Sequence, residues 1–337
     1  MRKISVGPLA TGIVVLLLLI AFPLFISQPI HVHVMILVFM FGMLGVAWNI
    51  IGGYAGLYSF GQVAFFGIGA YTSSFLLVNY GINPWLGLIA GGCAAAVVAA
   101  GIGYPCSNLR GHYFSIATIA FAEIVHIVFN NWKAVGAAEG LTLPMDNPSF
   151  SHFLFNSSKL PYYYIMLAFL LLALVVCYFV ATSKMGYYFR AIKESHDVAE
   201  VLGVNVVQYR LIAVMISAFL SAMAGTFYAQ YVLYIDPDSV MLLPFSVQIV
   251  LISMLGGAGS IMGPVLGAAI LIPASEYTRM TLGAKGTGID MLIYGFLIMM
   301  ISMYYPEGVW KLLARIGAKK TRTSLRGEKA ASASVRP

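Results

Sequence analysis

Apolar runs of about 20 residues recur along this 337-residue chain, each closed off by a short polar, Gly or Pro break. A helix of that length crosses the hydrocarbon core of a bilayer. In lipid every backbone N–H and C=O must be satisfied within the protein, so runs of this kind resolve as spanning helices. The runs fall at residues 8–26, 31–51, 62–80, 85–106, 113–131, 161–181, 211–233, 245–257, 262–282 and 289–305. Hydrophobic residues make up 60% of the chain, above the roughly 45–50% of soluble domains, and charged residues only 9%. The expected fold is an all-α integral membrane protein, a polytopic bundle of about ten transmembrane helices. The short run 245–257 and the Gly-rich stretch before Gln62 are the candidates for broken or re-entrant backbone, which survives at membrane depth only against protein or a water-filled cavity.

Charge sets the orientation. With both termini cytoplasmic, all but four of the 19 Lys and Arg residues fall on the inner side; the exceptions are Lys133, Lys159, Arg279 and Lys285. That asymmetry is what the positive-inside rule requires. Residues 1–317 read as the transmembrane domain and 318–337 as a basic tail, with Lys319, Lys320, Arg322, Arg326, Lys329 and Arg336 against Glu328. Such a tail is expected to stay disordered and to be drawn to anionic headgroups at about 1 kcal/mol per cation, which accounts for the charge without nucleic acid. The start of the chain, MRKISVGPLATGIVVLLLLIAF, has the charged lead and apolar run of a signal peptide but no small-x-small cleavage site before Gln28, and reads as a retained first helix. Cys93, Cys106 and Cys177 lie in or beside apolar runs without pairing or metal-ligand spacing, as small buried residues do.

Several chemistries are excluded. No phosphate-binding G-x-x-x-x-G-K-[ST] occurs; the nearest approach, GAKGTG at 283–288, lacks both the loop length and the Lys-Ser/Thr pair. The chain therefore does not hydrolyse ATP by itself and is not expected to bind a cofactor or metal. HExxH and GxSxG are absent as well, and the six histidines are scattered.

Polar residues at membrane depth carry the functional signal, because a charge at the centre of a spanning helix costs roughly 2.5–3.5 kcal/mol on insertion. Glu123 sits near the middle of the run TIAFAEIVHIVF, with His126 at i+3 on the same face. The pair either lines a route through the membrane or fixes packing inside the bundle. Asn49, Ser59, Gln62, Ser246 and Gln248 are milder cases. SFGQ at 59–62 opens a span running outward and SVQ at 246–248 one running inward, a hint of an inverted repeat with a path between its halves. Gly259, Gly263 and Gly267 recur every four residues and are expected to form one smooth helix ridge, serving close packing or a moving contact.

One charged island interrupts the apolar pattern, SKMGYYFRAIKESHDVAEVLG at 183–203 on the inner side. From Glu194 onward it has helix formers, an apolar edge of Val198, Val201 and Leu202, and Gly203 placed to end the helix. It either docks a soluble partner on the membrane face or lies in the headgroups.

A set of ordered motifs bears on that choice. GYAGLYSFGQ at 53–62, AFFGIGAYT at 64–72, LRGHYFSIAT at 109–118, RAI at 190–192 with Glu194, AEVLG at 199–203, LGGAGS at 255–260 and GPVLGA at 263–268 closely resemble the permeases of branched-chain amino acid ABC importers. Within that family the chain resembles the M-type subunit. The resemblance implies a homologous H-type permease, two ATP-binding subunits that hold ATP and Mg, a periplasmic solute-binding protein, and a home in the bacterial inner membrane. It marks residues 183–207 as the coupling segment to the ATPase, with Lys184, Arg190, Lys193, Glu194, Glu200 and Gly203 on it, although Ser195 and His196 depart from the family's Glu-Ala-Ala pattern. It also implies import of small hydrophobic amino acids by alternating access. Related permeases serving urea, short amides or aromatic acids are an alternative. An ion-coupled secondary transporter using Glu123 and His126 is another; a non-transporting scaffold would leave the intramembrane polar residues unexplained.

Overall fold

Twenty-one residues without Asp, Glu, Lys or Arg, Pro29–Asn49, form a helix (α2) that lies at the centre of the bundle, started by a proline whose missing N–H a first turn does not need. The computed structural model describes residues 17–23, 28–107, 109, 111–144, 153–155, 158–282, 295, 296, 299 and 308–310. The spans expected at 8–26 and 289–305 are described only in part, the former as helical residues 17–23 (α1). The basic tail 318–337 and both termini lie outside the described residues.

α2 runs into a π-helical turn, Ile50–Tyr54, and a buried, non-helical return then leads to α3 (Gln62–Tyr80). Helices α4 (Pro84–Cys106), α5 (His112–Asn131) and α6 (Leu160–Thr182) follow. Two short helices, α7 (Lys184–Glu194) and α8 (His196–Val201), precede the long α9 (Val206–Val232). The chain ends its described bundle with α10 (Pro237–Val240), α11 (Leu243–Gly256) and α12 (Gly263–Leu282). A two-stranded ribbon, β1 (Leu141–Thr142) against β2 (Tyr234–Ile235), is antiparallel with Leu141 opposite Ile235. Among the described residues seven helical segments are long and apolar enough to cross a membrane, and the protein is a polytopic all-α membrane protein.

α9 packs on α3 and α4, while α6 and α12 flank α2 and α11 closes against α12 and α2. Lipid tails are as apolar as Leu, so these contacts depend on close approach and hydrogen bonds rather than on hydrophobic drive. The α3–α9 seam shows both. A Cβ on Gly225 would collide with the Phe66 carbonyl and one on Gly69 with the Ala222 backbone, and Thr226 Oγ1 donates to Gly69 O at 3.0 Å.

Two expectations change. Gly259, Gly263 and Gly267 do not share a helix ridge: Gly259 lies in the loop before α12 with φ +86°, a backbone state natural to glycine, and only Gly263 and Gly267 are helical. Gly267 does serve packing, its missing Cβ making room for the Ile252 carbonyl. The helix expected from Glu194 onward begins later: Glu194 ends α7, Ser195 adopts an extended φ of −160°, and its hydroxyl caps α8, which starts at His196, by accepting from Val198 N–H at 3.5 Å.

Candidate functional site

The face expected to lie inside is built on the charged island. α7 buries Gly186, Phe189 and Ile192, spaced three apart, and turns its polar side outward. Ile192, Ala199 and Val206 form a small satellite core that holds α7, α8 and the start of α9 together. Gly203, at φ +83°, ends α8 in the left-handed state.

Two cations tie this assembly to the bundle. Lys193 Nζ donates to Gly53 O at 2.8 Å, on the π-helical turn that ends α2. Arg190 donates to Ala181 O at 2.7 Å, with its guanidinium 5.8 Å from the Tyr54 ring centroid. The tip of α8 is left bare: Val198, Val201 and Leu202 are 57%, 87% and 74% exposed. Lys184, Glu194 and Glu200 are exposed too, and His196 lies 3.8 Å from Glu200 Oε2. A cavity of about 550 Å³ lies between α7 and the loop after α11, lined by Arg190, Lys193, Glu194 and Gly259.

Asn49, the last residue of α2, grips that same loop. Its side-chain oxygen accepts from Gly259 N–H at 2.7 Å and its nitrogen donates to Ser260 O at 2.8 Å. One side chain thus fixes the α2 terminus and the α11–α12 connection to each other.

The other intramembrane polar residues gather where α3 begins. Gln62 donates to Ser217 and Ser221 of α9, and Ser217 in turn donates to Ala47 O at 2.6 Å. Ser246 Oγ accepts from Val63 N–H at 3.0 Å, so a hydroxyl on α11 satisfies one of the orphan donors of α3. Trp48 Nε1 donates to Ser59 O at 2.7 Å, and Phe60 N–H to Thr118 Oγ1 at 3.0 Å, which is how the buried return before α3 is satisfied inside the protein. The two segments compared as an inverted repeat therefore meet at their helix starts. Gln248 is half-buried and stands apart, in a cavity also lined by Asp238 and Arg279.

Glu123 and His126 occupy a different place. Across the seven spans the Asp, Glu, Lys and Arg residues are Glu123, Arg210 and Asp238. Arg210 is buried and donates to Ser107 O at 2.7 Å, and Asp238 is the second residue of its span. Only Glu123 sits mid-helix, and its side chain is 57% exposed. His126 lies 3.8 Å from Glu123 and 2.8 Å from Asp238 Oδ1 on α10. Asp238 was not legible from sequence, because a contact across 112 positions leaves no local signal. The same holds for the clamp from Arg210 to the α4–α5 turn.

The sequence matches the model of the family described as "Branched-chain amino acid transport system / permease component" over residues 30–302. It is 28% identical to the high-affinity branched-chain amino acid transport system permease protein LivM of Escherichia coli K12, covering 94% of this chain and 78% of that protein. The LivM of Salmonella typhimurium is also 28% identical, over 87% of this chain and 73% of its own length. The Salmonella typhimurium LivH permease is 23% identical over 80% of this chain and 90% of its length. No solved structure matches the chain.

Proposed function

This chain belongs to the branched-chain amino acid transport permease family, and from that premise we propose that it is the M-type subunit of an ATP-driven importer of hydrophobic amino acids. It acts in the inner membrane beside an H-type permease, with two ATP-binding subunits inside and a solute-binding protein outside. The likeness of one chain to both LivM and LivH supports a pair of homologous permeases.

The observation that carries the coupling role is the bare apolar tip of α8 on a frame bonded to the bundle. Val198, Val201 and Leu202 are what a groove on a soluble partner would take up, as amphipathic helices do generally. A push on that tip passes through α7 and the Lys193–Gly53 bond to the inner end of α2, and from Asn49 to the loop ahead of α12. ATP binding draws the ATPases together and moves this frame, opening the bundle toward the loaded binding protein; hydrolysis resets it. The route runs along the α5 face that carries Glu123, since an ionisable side chain at that depth belongs against protein or water, not lipid.

The test is uptake of radiolabelled leucine into proteoliposomes holding this chain, its second permease and the ATPases, with ATP inside and binding protein outside. Uptake should need every component. Val201→Asp with Leu202→Asp should remove about 2 kcal/mol of docking energy, roughly thirty-fold in affinity for the ATPase, and stop uptake accordingly. Gradient-driven uptake by this chain alone, or full uptake by the double variant, would refute the reading. Stimulation by urea or a short amide in place of leucine would keep the architecture and replace the solute.

A further inference from the structure

On the outer side, α10, the start of α11 and the end of α12 enclose an open cavity of about 560 Å³, within the roughly 300–1,000 Å³ of small-molecule sites. Its wall is apolar over Leu242, Phe245 and Leu251, and it carries one anion and one cation, Asp238 and Arg279, with Gln248 between the helices. We propose that this cavity is the outer binding site for a free zwitterionic amino acid, with Asp238 taking the ammonium, Arg279 the carboxylate, and the apolar wall the branched side chain. The assignment rests on the importer reading above and names the solute-reading residues within it.

Charge complementarity singles out this cavity. A carboxylate is best read by the forked guanidinium of Arg, which offers two parallel N–H donors, and an ammonium needs acceptors only. The larger cavity, about 700 Å³ beside α2, is lined by Lys159, His33 and Tyr231 but by no acidic group, so it offers an ammonium no charged partner and places a cation beside it. The inner cavity by α7 has Arg190, Lys193 and Glu194, but it is bounded by the coupling frame rather than by a hydrophobic wall.

The two charged groups are held without being consumed. His126 Nε2 meets Asp238 Oδ1 at 2.8 Å, which orients the carboxylate from the α5 side. Arg279 makes a long 3.4 Å contact with Glu276 one turn away and is itself 67% exposed, so its guanidinium is poised to exchange that weak partner for a solute carboxylate. The site also adjoins the Glu123 face through His126, which puts it at the outer mouth of the proposed route.

The experiment uses the assembled complex in lipid nanodiscs and photo-leucine, a diazirine amino acid with both charges intact, followed by mass mapping of the crosslinks. Labelling should fall within residues 239–251, and leucine should compete for it. Isoamylamine, which lacks the carboxylate, and 4-methylpentanoate, which lacks the ammonium, should each compete at least tenfold more weakly. Asp238→Asn and Arg279→Gln should each reduce specific labelling about tenfold in complexes that still co-elute with their partners, as loss of one charge-assisted pair implies. Asp238→Glu and Arg279→Lys should recover part of it. Labelling beside His33 and Lys159 instead, or equal competition by all three compounds, would overturn this site while leaving leucine-dependent ATP hydrolysis in place. Loss of any leucine dependence of the complex, labelling and ATP hydrolysis alike, would overturn the site together with the reading of hydrophobic amino acids as the solute.

Discussion

Helices α2 and α5 are both apolar and long enough to span a membrane, yet 89% of the spanning window of α2 is buried and only 28% of that of α5. α2 is enclosed by α6, α9, α11 and α12. α5 meets α3, α10, the 3₁₀ turn Ala137–Glu139 and, less extensively, α4 and α11, and most of its spanning window stays exposed. The difference separates two duties. A helix without charge, surrounded on all sides, is the member that the bundle is built on. A helix with a carboxylate on a bare face is where the bundle is unfinished, because that face is not suited to lipid. In an assembly with a second permease, α2 should answer to substitutions through the stability of this chain alone, and α5 through what the assembly does.

The largest expected effect tests how the enclosure is achieved. Gly225→Leu drives a side chain into the Phe66 carbonyl across the α3–α9 seam, where the neighbouring atoms are backbone and have little room to shift. Overpacking of this kind should cost about 3 kcal/mol. The thermal midpoint of the purified chain in detergent should fall and the monodisperse fraction with it. Wild-type behaviour would mean that the seam is not tightly closed, and the contrast with α5 would lose its basis.

A middle-sized effect comes from Asn49. Asn49→Ala leaves Gly259 N–H and Ser260 C=O without their partner at the C-terminal end of α2, for about 2 kcal/mol. Because the same side chain joins α2 to the α11–α12 loop, the variant should lower both the thermal midpoint and the coupling of ATP hydrolysis to uptake. A fall in stability with coupling intact would confine Asn49 to packing and cut the path drawn from α7 to α12.

Composition and run length made the spanning helices legible, since lipid allows little else for 20 apolar residues. Most starts and ends followed from prolines and glycines: Pro29 opens α2, Pro84 opens α4 and Gly203 stops α8. α9 starts at Val206, five residues before the apolar run 211–233, because Gln208 and Arg210 interrupt that run without breaking the helix. Glycine period was a weaker guide. A spacing of four looks the same in a helix and in a loop, and Gly259 belongs to the loop. The charged island showed its position and its apolar edge, but not the break at Ser195, where a single extended residue decides between one helix and two. Candidate polar residues were visible as exceptions in apolar runs. Their partners were not, because Asn49 to Gly259, Gln62 to Ser217 and His126 to Asp238 are each more than 100 positions apart.

The smallest effect on this chain alone is expected at Glu123, and that is what makes it the sharpest test of α5. Glu123→Gln keeps the shape and removes the charge from a side chain that is more than half exposed, so the isolated chain should change by no more than about 0.5 kcal/mol. Its thermal midpoint in detergent should match the wild type. Leucine uptake by the complete complex should nevertheless fall several-fold, because the carboxylate faces the proposed route and stands 3.8 Å from the His126 that orients Asp238. If instead the variant lost stability and kept its transport rate, Glu123 would be a packing residue like Asn49, and α5 would differ from α2 in degree of burial only. Unchanged stability with unchanged uptake would point to a bare face covered by the second permease alone, away from the path of the solute.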